Sequence, residues 1–311
     1  MSILFATILQ SHSVKANLSS WANIQLAPGI TISAPSNLAL SHETPQDPRV
    51  LHIDDWGGKV GNRTFIASVT TTKKVSVGDS NAILSATVIQ SVSRPNSRLE
   101  KMRDVQMSGW SGVLLSVKES DGSRTISKSF RIGERLVTLA VIAPASDSGS
   151  SDINRFLDSL KVKERGPSSD LGPELMRFPL GRSGLSASFP HAPAERDSKN
   201  ADGSTLHSYV SEFVTRSFMV TYQDIPKGKP GPNLKTVGSY VLSGFHATGI
   251  RTSSFIAGNS SGERSDFTIG TQAKGSLLVY RLKNRILTLL TLAPREVEDS
   301  GTVKRFFRSV K

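Results

Sequence analysis

The chain writes one stretch twice, and no other feature limits its folding options as strongly. SFRIGERLVTLAVIAP (Ser129–Pro144) returns 150 residues later as VYRLKNRILTLLTLAP (Val279–Pro294). Arg131/Arg281, Arg135/Arg285, Thr138/Thr288, Leu139/Leu289, Ala143/Ala293 and Pro144/Pro294 are identical. An amphipathic segment follows each copy at the same offset, RFLDSL from Arg155 and RFFRSV from Arg305. A repeat of this length implies two copies of one domain. The 311 residues suit that reading, since two domains of about 140 residues can each bury a core.

Further pairs extend the repeat toward the N-terminus. ITISAP (Ile30–Pro35) alternates like a strand and matches LSASFP (Leu185–Pro190) at an offset of 155. RTFIAS and RSFMVT keep Arg63/Arg216 and Phe65/Phe218 at an offset of 153. Offsets sliding from 155 to 150 are what small loop deletions leave behind. The expected layout is a start segment over 1–23, one repeat over 24–163, a Pro/Gly-rich linker over 164–184 and a second repeat over 185–311.

Within the first repeat, strands are expected around Val50–Asp54 and Thr64–Thr71. Asp79-Ser80-Asn81 reads as an N-cap cluster for a helix reaching Val92, and Pro232-Asn233 opens its counterpart before Leu234. Three strands follow. Gly112–Lys118 turns at Asp121-Gly122, a type I′ signal, into Arg124–Ile132, which turns at Gly133-Glu134 into Arg135–Ala143. The closing helix sets Ile153, Phe156, Leu157 and Leu160 on one stripe, repeated as Val303, Phe306, Phe307 and Val310.

This order of elements resembles the PsbP/Mog1-like αβα sandwich. The residues that carry the likeness are Phe189-Pro190, FMVTYQDIP (Phe218–Pro226), Arg131–Pro144, Arg281–Pro294, Arg155–Leu160 and Arg305–Val310. The resemblance implies an α+β fold of two tandem αβα-sandwich domains, each a mostly antiparallel sheet flanked by helices. It also implies a non-catalytic role, since the best-known members are accessory or binding proteins. Fold alone assigns no partner.

Charge narrows the partners. Lys and Arg outnumber Asp and Glu 38 to 26, a net charge of +12. The excess is spread over both repeats; read functionally it suits nucleic acid, anionic lipid or an acidic polymer or protein, and the simpler explanation is a soluble basic surface. Basic residues are not interleaved with aromatics, which argues against nucleic acid. There is no Cys, so disulfides and thiolate chemistry are excluded. No apolar run reaches transmembrane length. Met1–Ala16 holds a seven-residue apolar run, Ile3–Leu9, and small residues at signal-cleavage spacing, but lacks a positively charged start. The protein is exported or periplasmic if that segment is a signal peptide, and cytoplasmic otherwise.

Catalytic motifs are sparse. Gly78-Asp79-Ser80 looks like a hydrolase nucleophile block but has no late Asp-x-x-His partner. No G-x-S-x-G elbow and no Walker loop occurs. His52 and Asp54 share one strand face, as a metal or proton-relay site would need, while the aligned stretch of the second repeat has His207 but no paired acids; the simpler reading is a solvated histidine. No cofactor or metal is expected. The candidate binding residues are the repeated basic hairpins, Lys128, Arg131 and Arg135, with Arg281, Lys283 and Arg285. Read functionally, they bind a carboxylate or phosphate; read structurally, they are solvated residues around a turn, and this second explanation is the simpler. The expected function is a non-catalytic binding or accessory protein engaging an acidic protein, polymer or envelope surface. The alternative is a hydrolase with a motif-free site between the domains.

Overall fold

Long runs of alternating buried and exposed residues, with few helix-period stretches, make this a strand-dominated chain. The computed structural model describes residues 20–45, 47–74, 77–92, 95–166, 172–200, 204–228, 230–257, 260–299 and 301–311. The proposed signal segment Met1–Ala16 lies outside them. The chain divides into two compact units, residues 1–173 and 174–311.

The first unit contains β1 (Trp21–Ala27), β2 (Ile30–Pro35), β3 (Ala39–Glu43), β4 (Val50–Val60), β5 (Arg63–Thr72) and α1 (Val77–Val92). It continues through β6 (Arg98–Met107), β7 (Trp110–Lys118), β8 (Ser123–Ile132), β9 (Arg135–Pro144), α2 (Ser151–Leu157) and β10 (Lys161–Val162). Seven strands form an antiparallel sheet in the order β3-β4-β5-β9-β8-β7-β6. Helix α1 carries the chain from the middle of the sheet to its far edge. The meander β6–β9 then returns to pair with β5.

The second unit repeats that order. It comprises β11 (Met176–Pro179), β12 (Ser186–Phe189), β13 (Ala194–Lys199), β14 (Thr205–Phe213), β15 (Arg216–Asp224) and α3 (Leu234–Gly244). β16 (Ala247–Ala257), β17 (Ser260–Ile269), β18 (Ala273–Leu282), β19 (Arg285–Pro294) and α4 (Thr302–Phe307) complete it. Its sheet runs β13-β14-β15-β19-β18-β17-β16.

The expectation of an α+β αβα sandwich is overturned. Strands make up more than half of the described residues and helices fewer than one in six. One face of the first sheet is covered chiefly by a second, three-stranded sheet, β1-β2-β10, beside the two-turn α2. Besides the two-residue β10, three strands of the first unit escaped the sequence reading for a physical reason. β3 and β6 are sheet edges, half solvated and polar, so neither shows the apolar alternation that marks an inner strand. β1 pairs with β2 and leaves the main sheet altogether.

The repeated residues meet in the cores. Phe156 of α2 packs edge-to-face on Phe65 of β5, with ring centroids 5.3 Å apart. Phe306 of α4 meets Phe218 of β15 in the same way at 5.3 Å. The predicted stripe Ile153, Phe156, Leu157 and Leu160 is buried throughout. Burying each Phe contributes about 1.5–3 kcal/mol, enough to hold a helix too short to persist alone.

Turns and caps refine the local reading. At Asp121-Gly122 only Gly122 takes a positive φ (83°), while the Glu119 carbonyl accepts the Gly122 N–H at 3.1 Å and Glu119 donates to Ser123 O at 2.9 Å. That is a type I turn closed by a glycine bulge, in place of the expected type I′. Asn233 caps α3, its side chain accepting the Lys235 N–H at 2.8 Å. Asp79 and Asn81, expected to precede the first helix, fall inside α1.

Candidate anion-binding site

Strand alternation separates the basic residues that the hairpins bring close in sequence. Phe130 and Ile132 of β8 point into the core beneath α2, so Lys128 shares their face; its ammonium pairs with Asp158. Arg131 occupies the opposite face, the one that α1 covers. Arg135, cross-strand partner of Ile132, returns to the α2 face. In the second unit Arg281 is exposed and Lys283 stands at the turn with φ 56°. Arg285 is engaged: it donates to Asp224 at 2.6 Å and to the Ser183 carbonyl at 2.6 Å, and lies over the Tyr222 ring. Neither hairpin gathers its three cations into one cluster.

Cations do converge elsewhere in the second unit. A cavity of about 510 Å³ opens at the α4 side of the sheet. Arg216, Arg251, Arg264, Lys274 and Arg295 line it against two carboxylates, Asp266 and Asp299. Each cation comes from a different segment, and the sheet register brings them together. Arg251 of β16 pairs with Asp266 of β17, Asp266 with Ser276 of β18, and Lys274 with Thr268 and Ala293.

The floor is well ordered by its own contacts. Arg264 donates twice to Asp266 Oδ1, at 2.9 and 3.2 Å, and its guanidinium rests over Phe307, 5.7 Å from the ring centroid. The Ser276 hydroxyl donates to the same carboxylate oxygen. Arg216 is buried and donates to the Glu298 carbonyl at 3.1 Å. Asp299 is occupied at the start of α4, accepting the Gly301 N–H at 3.1 Å. Arg251 and Arg295 are exposed at the mouth.

The first unit shows why the second is left cationic. There Arg63, counterpart of Arg216, pairs with Asp147 and Asp152 at 3.3 and 3.2 Å. Arg124, counterpart of Lys274, binds Glu100 with two nitrogens at 2.7 and 3.1 Å and holds that carboxyl below its ordinary range. The three acids stand at positions 100, 147 and 152; at the repeat offset of 150 the second unit carries Ile250, Val297 and Thr302. The cations remain while these three positions no longer carry acids, and Asp299, two residues beyond Val297, stands in the cavity wall. The signal in the sequence lies at positions where the repeats differ, not where they agree.

Three His–Asp contacts, two of them sharing Asp54, occupy the sheet side opposite these edges. His42 of β3 meets Asp54 of β4 at 2.7 Å, with His52 at 3.4 Å from the same carboxyl. His207 does have an acid, contrary to the sequence reading: Asp197 lies opposite on β13, 2.8 Å away. Ten residues separate them along the chain, so only the pairing reveals it. Among the described residues no group of three or more such side chains is arranged to hold a metal ion. No described helix is long and apolar enough to cross a membrane.

No family model matches the chain, and no curated protein matches it. Among solved structures it is similar to the solution structure of cyanobacterial PsbP (CyanoP) from Synechocystis sp. PCC 6803. That match has 10% identity and a TM-score of 0.34, over 49% of this chain and 98% of that one. It is also similar to MucB, crystallised in complex with MucA(peri), at 10% identity and a TM-score of 0.23 over 84% of this chain and 87% of that one. Likenesses at these scores carry no functional argument, and the chemistry of the site rests on its own residues.

Proposed function

We propose that this protein is a non-catalytic binding module that engages carboxylate-rich partners, acidic proteins or anionic polymers, through the cationic cavity of its second unit. The observation that carries this reading is five cationic side chains against two carboxylates around one cavity. Guanidinium groups fixed in direction, as Arg264 is between Asp266 and Phe307, suit planar, two-point recognition of a carboxylate. No histidine lines the cavity, and the Asp266 carboxylate that accepts the Ser276 hydroxyl is held by Arg264 through the same oxygen. This supports binding over hydrolysis.

The test is a salt-titrated binding measurement with fluorescent oligoglutamate. Arg251→Gln/Arg295→Gln, both exposed, should weaken binding and flatten its salt dependence. Arg131→Gln/Arg135→Gln in the first unit should leave both unchanged. Equal loss in the two variants would refute the assignment to the cavity, because it would mark a diffuse response to net charge.

A further inference from the structure

We propose that β16 is an open docking edge that takes an extended acidic peptide of a partner protein as an added strand, with alternate acidic side chains lying in the cavity. The inference rests on the anion-binding reading of that cavity and names the form of its partner.

Edge strands expose a row of unpaired main-chain N–H and C=O groups, and folded proteins usually guard them by shortness or charge. Among the described residues the two seven-stranded sheets present four such edges. β3 has five residues. β13, AERDSK, carries four charges, and β6, RLEKMRDVQM, carries five. β16, ATGIRTSSFIA, is eleven residues long with a single charge, Arg251. β6 and β16 occupy the same place in the two sheets, so the guard was kept in one unit and lost in the other.

This edge, low in charge and regular from Arg251 onward past a bulge between Thr248 and Arg251, is also a wall of the cavity, since Gly249 and Arg251 both line it. Alternation from Arg251 sets Ser253 on the cavity face and Ile256 on the face of α3. Ile256 is 77% exposed and Tyr240 of α3 is 80% exposed. A strand laid along β16 therefore directs every second side chain toward the arginines and the others toward Ile256. Acidic residues alternating with apolar ones match both faces, and β16 itself contributes no negative charge to oppose them.

The experiment uses the full chain and a labelled Glu-Val alternating octapeptide, followed by fluorescence anisotropy. Methylating alternate backbone nitrogens of the peptide should weaken binding about tenfold or more, because the ladder cannot form. Consecutive N–H groups of a strand point to opposite sides, so of Thr252→Pro and Ser253→Pro one should keep the fold and lose the peptide. If the methylated peptide binds as well as its parent, and the folded proline variant still binds, the edge is not a docking site. That result leaves the cavity reading standing provided a Gln-Val peptide binds more weakly. If Gln-Val and Glu-Val bind alike, the cavity reading fails while the edge is still judged by methylation. A concentration-dependent dimer in sedimentation, abolished by the folded proline variant, would assign the edge to a second copy and overturn the proposal.

Discussion

Asp266→Asn should tighten the binding of an acidic ligand. In the wild type Asp266 is the one carboxylate on the sheet floor of the cavity, and it occupies Arg264 through two hydrogen bonds. An anion held by Arg264 would sit roughly 6 Å from that carboxyl, where like charges repel by about 3 kcal/mol at an effective dielectric near 20. Asp266 is about half exposed, at 47%, so solvent screens most of this and about 1 kcal/mol is a fair expectation. The affinity for oligoglutamate should then rise about fivefold, measured by titration calorimetry at low salt. Releasing an exposed ion pair costs the fold about 0.2–1 kcal/mol, so a urea curve should show a small loss of stability. Affinity that falls or stays level in a protein whose fold is intact would refute the reasoning. Arg264 would then be a structural partner of Asp266 and no part of an anion site.

Three other outcomes follow from named positions. Lys283 holds φ 56° at a hairpin turn where the first unit has Gly133 at φ 58°, so Lys283→Gly should stabilise by about 1 kcal/mol and Gly133→Lys destabilise by a similar amount, read from urea midpoints. Phe306→Ala removes a fully buried ring that meets Phe189, Phe218 and Phe307, and should cost about 3–5 kcal/mol, with hydrogen exchange accelerating in residues 174–311. Asp55 is buried and its Oδ2 has no hydrogen-bond partner; burial, followed by the neighbouring Asp54 charge and against a Ser68 hydrogen bond, pushes its carboxyl above the ordinary 3.8. The folded state therefore binds that proton more tightly than the unfolded chain. Its stabilisation is complete below about pH 3.8 and is lost as pH rises through the raised value. Asp55→Asn should flatten this decline, read from urea midpoints at acidic and neutral pH. Parallel pH profiles for the two proteins would contradict it.

Much of the interior was legible because burial imposes a period. The stripe on α2, the near-continuous apolar run of β9 and the paired Phe65 and Phe218 all lie in the cores, as their patterns required. The layer architecture was not legible. An N-terminal strand pair reads the same whether it joins the main sheet or lies across it, and β1 with β2 does the latter. The first helix packs over a layer rich in Ser and Thr (Ser68, Thr70, Ser127 and Ser129 are buried), so its apolar signature was weak and its start was misplaced.

The amino-acid sequence by itself determined that the chain holds two like units, that their closing strands and short helices face inward, and that an excess of positive charge runs through both. Each of these is a local or periodic property, set by side-chain hydrophobicity and by the offset between copies. Tertiary structure alone decided where the charge acts. Arg216, Arg251, Arg264, Lys274 and Arg295 are spread over eighty residues of chain, and only the register of β15 to β19 brings them to one cavity. The conspicuous basic hairpins were divided by the same rule, because neighbours along a strand point to opposite faces of the sheet.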